Sequence, residues 1–208
     1  VEVFVGNAGG TGTLIWSDEE KGYVVTAKHV VEGGGKVVVV WQDGYKSYGK
    51  IVGQGRYYDT AIIAVTPPPE SIFIPVADKF VPKDETVDIL GYGGQYNINT
   101  KDIKLEHWKS KVLGYKRVDQ GNVQLALMQL TVGAVSGDSG GPILYDGKLA
   151  GIVVGGQLDS YNGQPIDSHG PYCEPIMNLL RQVNPQLFTT QCPGGQCYPP
   201  RSPMIVRP

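Results

Sequence analysis

The serine at position 139 lies in a string of residues that could support nucleophilic chemistry. Residues 137–142 read GDSGGP, with glycines on both sides of Ser139. A nucleophilic serine needs a tight turn that exposes its Oγ and points backbone N–H groups at a developing oxyanion. Glycine permits the backbone angles of such a turn. The string therefore predicts a reactive serine that attacks a carbonyl carbon.

A serine nucleophile needs a general base, and the sequence offers three histidines. His29 lies where a β-rich run gives way to a short turn, whereas His107 is typical of an amphipathic strand and His169 lies in a loop. Asp59 stands at the start of the apolar run 60–65, far enough from His29 for a hairpin to bring the two together. We therefore expect His29 to be the base and Asp59 the carboxylate that orients it.

The same serine string also satisfies Gly-x-Ser-x-Gly, the nucleophile elbow of α/β-hydrolases. That elbow requires a helix directly after the serine, but Gly140, Gly141 and Pro142 start a helix poorly. Residues 143–154 are instead typical of a hairpin with an Asp-Gly turn. The local sequence thus disfavours a lipase or esterase of that fold.

The order and content of these segments resemble the chymotrypsin/trypsin family, and most closely its compact HtrA/Deg-like protease domains. The triad segments are TAKHV at 26–30, DTAII at 59–63 and GDSGGP at 137–142, and the HtrA-like segments are GGTGTLI at 9–15, GYVVT at 22–26, GYG at 91–93 and GPY at 170–172. The resemblance covers residues 3–185 and includes no PDZ domain.

This resemblance implies a serine endopeptidase with a catalytic triad of His29, Asp59 and Ser139. The backbone N–H groups of Gly137 and Ser139 are expected to form the oxyanion hole. The implied partner is a protein or peptide substrate, and the implied mechanism uses no metal and no organic cofactor.

Substrate-binding residues are expected in the stretches 132–136, 153–157 and 168–172. The individual candidates are Gly133, Ala134, Val154, Gly155, Gly156 and His169. Gly133 stands where relatives that cleave after Lys or Arg carry a carboxylate. We therefore expect a small or medium apolar side chain before the scissile bond (P1) rather than a basic one. His169 offers an alternative, in which its imidazole binds an acidic P1 side chain.

Short β-rich runs separated by Gly, Asn and Asp predict an all-β protein of two six-stranded antiparallel β-barrels, with a short C-terminal helix and an irregular tail. The last two strands are predicted at 148–154 and 171–174, and the helix directly after Pro175. The expected domains are an N-terminal barrel (1–66), a Pro-rich connector (67–71), a C-terminal barrel plus helix (72–185) and a Pro/Gly/Cys-containing tail (186–208).

The composition is that of an ordinary globular protein. Of 208 residues, 41% are hydrophobic and 18% are charged, with a net charge of −2. This balance gives no electrostatic reason to expect nucleic acid or an anionic membrane as partner. No apolar run approaches the ~18 residues of a membrane span. The first residues lack both Met and a signal-peptide pattern, which predicts a processed or trimmed chain.

The chain contains three cysteines, Cys173, Cys192 and Cys197. Cys192 and Cys197 flank Pro-Gly-Gly-Gln, which could turn back to close a small disulfide loop, although both thiols could equally stay reduced. No additional His or Cys lies nearby to complete a metal site. A disulfide favours an extracytoplasmic or secreted location.

Two other interpretations stay open at this point. A latent or inactive protease fold could be used for protein binding alone. A viral or phage-type processing protease would have a similar compact size. The sequence does not fix the oligomeric state.

Overall fold

The computed structural model of the protein describes residues 1–93, 104–120, 123–158 and 165–188. Its strands form two antiparallel assemblies, as the sequence predicted. Among the described residues, no helix is both long enough and apolar enough to cross a membrane.

The first six strands close into a barrel in the order β1-β2-β3-β6-β5-β4. Closure arises because β1 pairs with both β2 and β4, which leaves no free edge. The strands are β1 (Glu2–Val5), β2 (Ala8–Ser17), β3 (Gly22–Thr26), β4 (Val37–Val40), β5 (Lys46–Gln54) and β6 (Ala61–Val65). A one-turn helix, α1 (Lys28–Val31), follows β3. The predicted six-stranded N-terminal barrel is confirmed.

The remaining strands form a seven-stranded antiparallel sheet in the order β11-β10-β7-β8-β9-β13-β12. These strands are β7 (Thr86–Gly91), β8 (Glu106–Gln120), β9 (Val123–Leu130), β10 (Pro142–Tyr145), β11 (Lys148–Ile152), β12 (Gly155–Leu158) and β13 (Pro165–Pro171). Helix α2 (Cys173–Val183) and a 3₁₀ turn (Pro185–Phe188) follow.

The second assembly has one strand more than the six predicted, and its last strand lies earlier. Pairing with the segment before β10 still extends to Val153, whose amide donates to the Gly141 carbonyl, and the change of partner comes at Val154, whose amide donates to the His169 carbonyl. Residues 155–158 then pair with β13 as a separate strand. The helix begins before Pro175, since amides in the first turn of a helix have no intrahelical partner to lose.

Two strands of the barrel are buried on both faces. In β3, Val24 packs into the barrel core, while Val25 faces the second sheet. In β6, Ile63 packs into the barrel core and Ile62 faces the second sheet. A fully buried strand reads as a continuous apolar run because neither face meets water. The two assemblies therefore share a core along β3 and β6, the strands that precede His29 and follow Asp59.

Candidate active site

His29 and Asp59 meet at the edge of the barrel. His29 is the second residue of α1, and Asp59 lies in the turn that leads into β6. The backbone N–H of His29 donates to Asp59 Oδ1 at 2.9 Å, and the ring Nδ1 lies 2.6 Å from Asp59 Oδ2. An ionised carboxylate only accepts hydrogen bonds, so the ring proton sits on Nδ1 and Nε2 is left as a proton acceptor. The arrangement prepares the imidazole to act as a base.

The contact shifts the pKa of both groups. The hydrogen bond to Asp59 raises the pKa of His29 above its usual 6.5, with partial burial acting in the opposite direction. Partial burial acts to raise the pKa of Asp59, but the hydrogen bonds from His29 outweigh it and hold the pKa below its usual 3.8. Asp59 is therefore charged at neutral pH and favours the protonated imidazolium that forms when His29 takes up a proton.

Ser139 lies in a tight turn just before β10. Gly137 and Gly140 have φ angles of 109° and 84°, in the left-handed region that other residues rarely adopt. The amide of Gly141 donates to the Asp138 carbonyl at 2.7 Å, which closes the turn. A Cβ atom on Gly140 would collide with the Thr11 carbonyl and the Thr26 hydroxyl, so the turn also needs the small size of glycine.

Ser139 and His29 line one cavity of about 390 Å³ at the junction of the barrel and the sheet. Its other lining residues are Asn7, Ala8, Gly9, Val30 and Ser136. Within the described part of the chain, Ser139 Oγ and His29 are not hydrogen-bonded to each other. Such bonds are often long before substrate binds and tighten in the complex. The fold thus brings two of the three predicted residues into direct contact and places the third on the same cavity.

The backbone N–H groups of Gly137 and Ser139 donate to no other group within the described ranges. The carbonyls on the same turn are bonded, because Gly137 O accepts from the Thr11 hydroxyl at 2.8 Å and Ser139 O from the Thr11 amide at 2.8 Å. Donors without an intramolecular partner beside a serine hydroxyl suit the stabilisation of an oxyanion.

Between these two residues, Asp138 points its carboxylate into the protein. The side chain is 1% exposed, and its Oδ2 accepts from the amide of Val135 at 2.9 Å. Burial raises the pKa of Asp138 to about 6, against the opposing effect of the hydrogen bonds from Val135 and Gly93. The carboxyl group anchors the 135–138 segment, which connects the turn of residues 137–141 that carries Ser139 (the nucleophile turn) to the adjoining cavity wall.

A second cavity of about 320 Å³ also has Ser139 in its lining. It is lined by Ala134, Val135, Ser136, Ser139, Val153, Gly155 and Gly156. Three predicted substrate-binding residues, Ala134, Gly155 and Gly156, are in this lining, and no carboxylate or ammonium group is. Val135, Ser136 and Val153 are added by the structure, all from the two predicted stretches 132–136 and 153–157.

The other three predicted binding residues, Gly133, Val154 and His169, are not in this lining. Val154 packs against both hydrophobic clusters. His169 pairs with Gly155 across β12 and β13, and a Cβ on Gly155 would lie 3.3 Å from its Nε2. The imidazole therefore lies beside a wall residue of the cavity.

A second His–Asp pair provides an internal comparison. His107 Nε2 lies 2.7 Å from Asp88 Oδ1 on the exposed surface of β7 and β8. Neither residue lines the two cavities at Ser139. A His–Asp hydrogen bond alone does not single out His29, whereas the cavity shared with Ser139 does.

No group of three or more His, Cys, Asp or Glu side chains within the described ranges could hold a metal ion. Cys173 is buried and free, and its Sγ donates to the Lys79 carbonyl. The proposed Cys192–Cys197 disulfide lies outside the described residues.

Comparison with protein families matches the trypsin family over residues 2–168. The chain therefore belongs to this family of serine endopeptidases, and the closed barrel joined to a second antiparallel sheet agrees with its fold.

Among curated proteins, the chain is similar to HtrA and DegP proteases of bacteria. It is 27% identical over 161 residues to the serine protease Do-like HtrA of Bacillus subtilis, covering 69% of this chain and 32% of that protein. It is 32% identical over 146 residues to the periplasmic serine endoprotease DegP of Escherichia coli, covering 69% of this chain and 29% of DegP. The chain spans about a third of the length of these relatives.

Solved structures agree at the level of the fold. A crystal structure of Rv3671c from M. tuberculosis in an inactive form gives a TM-score of 0.71 at 21% identity, covering 89% of this chain and 86% of that chain. The serine endoprotease from Yersinia pestis gives 0.66 at 19% identity, covering 89% and 62%.

Proposed function

We propose that this chain hydrolyses internal peptide bonds of proteins through an acyl-enzyme formed on Ser139. The observation that carries the proposal is the His29–Asp59 pair, which opens onto the same cavity as Ser139. Membership of the trypsin family supports the same reaction class.

The proposed reaction follows from the chemistry of these groups. Nε2 of His29 removes the proton of the Ser139 hydroxyl as Oγ attacks the substrate carbonyl carbon. The amides of Gly137 and Ser139 bind the oxyanion, each worth ~3 kcal/mol in the transition state. His29 then donates the proton to the leaving amine. Water attacks the ester carbonyl by the reverse route and regenerates Ser139. Asp59 stays ionised and stabilises the imidazolium throughout.

The test is covalent labelling by a fluorophosphonate, which reports an activated serine without knowledge of the substrate. The wild type should be labelled, and Ser139→Ala and His29→Ala should both lose the label. A matched control should keep it: His107→Ala, which removes the other imidazole paired with an aspartate, away from both cavities.

A folded but unlabelled wild type would instead favour the latent or binding-only alternative. The missing hydrogen bond between Ser139 and His29 is the observation in favour of that alternative. Labelling that survives Ser139→Ala would place the reactive group elsewhere and contradict the proposal.

We further propose a small or medium apolar P1 side chain. Support comes from the second cavity, whose walls are formed by Ala134, Val135, Val153 and two glycines, with no charged side chain. A basic P1 group would lose its hydration there without gaining a partner. Profiling with a peptide library should give cleavage mainly after residues such as Ala or Val.

Two other cleavage profiles would each decide against this specificity. Cleavage mainly after Lys or Arg would contradict it outright. Cleavage mainly after Asp or Glu would favour His169 as the P1 reader, in which case His169→Ala should abolish the acidic preference.

An extracytoplasmic location is also proposed. The support is that several similar proteins, including DegP of Escherichia coli, are named as periplasmic.

A further inference from the structure

Thr11, on β2, contacts the nucleophile turn through its backbone and its side chain. Thr11 is 1% exposed. Its hydroxyl donates to Gly137 O at 2.8 Å and accepts from the amide of Tyr92 at 3.0 Å. Its own amide donates to Ser139 O at 2.8 Å. The methyl group lies against Gly141, where an added Cβ would be 3.5 Å away.

The two carbonyls that Thr11 holds lie on either side of Asp138 in the nucleophile turn. A bonded carbonyl fixes the plane of its peptide, so Thr11 sets the 137–138 and 139–140 peptide planes. The turn needs such an external anchor because Gly137 and Gly140 impose little conformational restriction of their own. The proposed oxyanion donors, the Gly137 and Ser139 amides, belong to the adjacent 136–137 and 138–139 peptides. Each of these peptides is joined to a held plane at the Cα of Gly137 or Ser139, so holding the two planes limits how far the donors can turn.

Thr11 is also linked to the strand that leads to His29. The Thr11 carbonyl accepts from the hydroxyl of Thr26 at 2.7 Å, and Thr26 lies three residues before His29. One buried residue is thus bonded both to the turn that carries the nucleophile and to the strand that precedes the base.

We propose that Thr11 is a positioning residue for the hydrolytic reaction, whose hydroxyl holds the Gly137 carbonyl and so aims the oxyanion donors and Ser139. This inference rests on the proposed protease activity. Thr11 touches no reacting atom and acts only through the turn.

Thr13 provides a matched control two positions along the same strand. It is also buried, and its hydroxyl has no hydrogen-bond partner. Thr→Val keeps the shape and removes the hydroxyl at both sites. At Thr13 nothing is left unpaired, so Thr13→Val should not change the reaction. At Thr11 the Gly137 carbonyl loses its anchor.

The experiment compares kcat, KM and the rate of fluorophosphonate labelling in wild type, Thr11→Val, Thr13→Val and Thr11→Ser. Thr11→Val should lower kcat by about tenfold to a hundredfold, as expected when reacting groups are misplaced by a fraction of an ångström to 1 Å. KM should stay close to the wild-type value because the P1 cavity is unchanged. Thr11→Ser keeps the hydroxyl and should restore kcat, while Thr13→Val should match wild type.

Each remaining outcome counts against a specific statement. Equal kcat in Thr11→Val and Thr13→Val, in an active wild type, would overturn the role of Thr11 and leave the protease intact. Equal losses in Thr11→Val and Thr11→Ser would assign the effect to the methyl contact and also overturn it. An unlabelled wild type would remove the proposed activity, and the role of Thr11 with it. If Thr11→Val does not fold, Thr11→Cys replaces it, and its weaker donor should give an intermediate kcat.

Discussion

The imidazole of His29 differs from that of His107 in which ring nitrogen its aspartate occupies. Asp59 binds Nδ1 of His29 and also the backbone amide of the same residue, which fixes the ring from two directions. Within the described ranges, the contact of Asp88 with His107 is the single one at Nε2. The two-point contact leaves Nε2 of His29 available as the base at the Ser139 cavity, which an Nε2 contact would not.

This geometry predicts the pH dependence of the reaction. The base must be neutral, so kcat/KM should fall as the pH drops through the pKa of His29, which Asp59 holds above 6.5. Asp59→Asn removes the charge and should move this inflection to lower pH while lowering kcat by about 10⁴-fold, the size of loss this change causes in a trypsin-like protease.

Rate profiles from pH 5 to 9 measure both effects. Asp88→Asn is the control, since it removes the carboxylate from the other pair and should leave the profile unchanged. An inflection that stays in place in Asp59→Asn would show that His29 is not the titrating group.

For individual residues, the sequence analysis could identify those that lie in a distinctive local motif and missed those that do not. Ser139, His29 and Asp59 were predicted from local strings, and the structure places Ser139 and His29 on one cavity with Asp59 bound to His29. The cavity walls were harder to predict, because they depend on packing between segments that are distant in the chain. Val153 lines the cavity although it is 1% exposed and belongs to the buried core, whereas its less buried neighbour Val154 is not in that lining. Thr11 has no sequence signature, since its role depends on the distant Gly137 carbonyl.

Among the elements, the nucleophile turn combines two separate requirements at Gly140. Its φ of 84° disfavours any side chain, and a Cβ there would also meet the Thr11 carbonyl and the Thr26 hydroxyl. Gly147, in the hairpin between β10 and β11, has a similar φ of 72°, but a Cβ added there would have no neighbouring atom within 4 Å. Comparing substitutions at Gly140 and Gly147 therefore distinguishes the cost of backbone strain from the cost of steric crowding.

We predict that Gly147→Ala destabilises the fold by about 1–2 kcal/mol, the cost of a left-handed non-glycine residue. Gly140→Ala should cost clearly more and abolish fluorophosphonate labelling, because backbone atoms of the turn must move. Urea unfolding and labelling of the two variants provide the comparison. Equal destabilisation with labelling retained in both would mean that the turn is not tightly packed against β2.

Strand β13 shows why one element was misplaced by the sequence analysis. Residues 165–171 read PIDSHGP, which combines two prolines, a glycine and polar residues of low β-propensity. The segment is a strand because β9 and β12 pair with it on both sides, and its prolines stand at its two ends, where prolines are tolerated in strands. Pairing partners far along the chain thus override the local preference.

At the scale of the whole molecule, helix α2 follows the second sheet and packs against strands of the barrel. Leu179 and Val183 approach the backbone of Gly53 on β5, and Asn184 Nδ2 donates to the hydroxyl of Tyr23 on β3 at 3.2 Å. Together with the apolar contacts of β3 and β6, this joins both assemblies around one cluster of buried residues. The site between them depends on that junction.

We predict that Leu180→Ala, at a fully buried position of α2, lowers the free energy of unfolding by about 2–5 kcal/mol. Hydrogen exchange should accelerate in strands of both assemblies, because the shared core couples them. Leu113→Ala, at a 45% exposed position on β8, is the control and should have little effect. Faster exchange in the seven-stranded sheet alone would show that the barrel is stable without it.

The buried thiol of Cys173 has a practical consequence. Cys173 is the first residue of α2, and burial raises the pKa of its thiol to about 11. Its Sγ donates a hydrogen bond to the Lys79 carbonyl. Alkylating reagents attack the thiolate, which is scarce at neutral pH in the folded protein and becomes common once the helix detaches. The rate of alkylation at Cys173 Sγ, measured by mass spectrometry, therefore reports how often α2 detaches from the sheet, even in a variant with no activity.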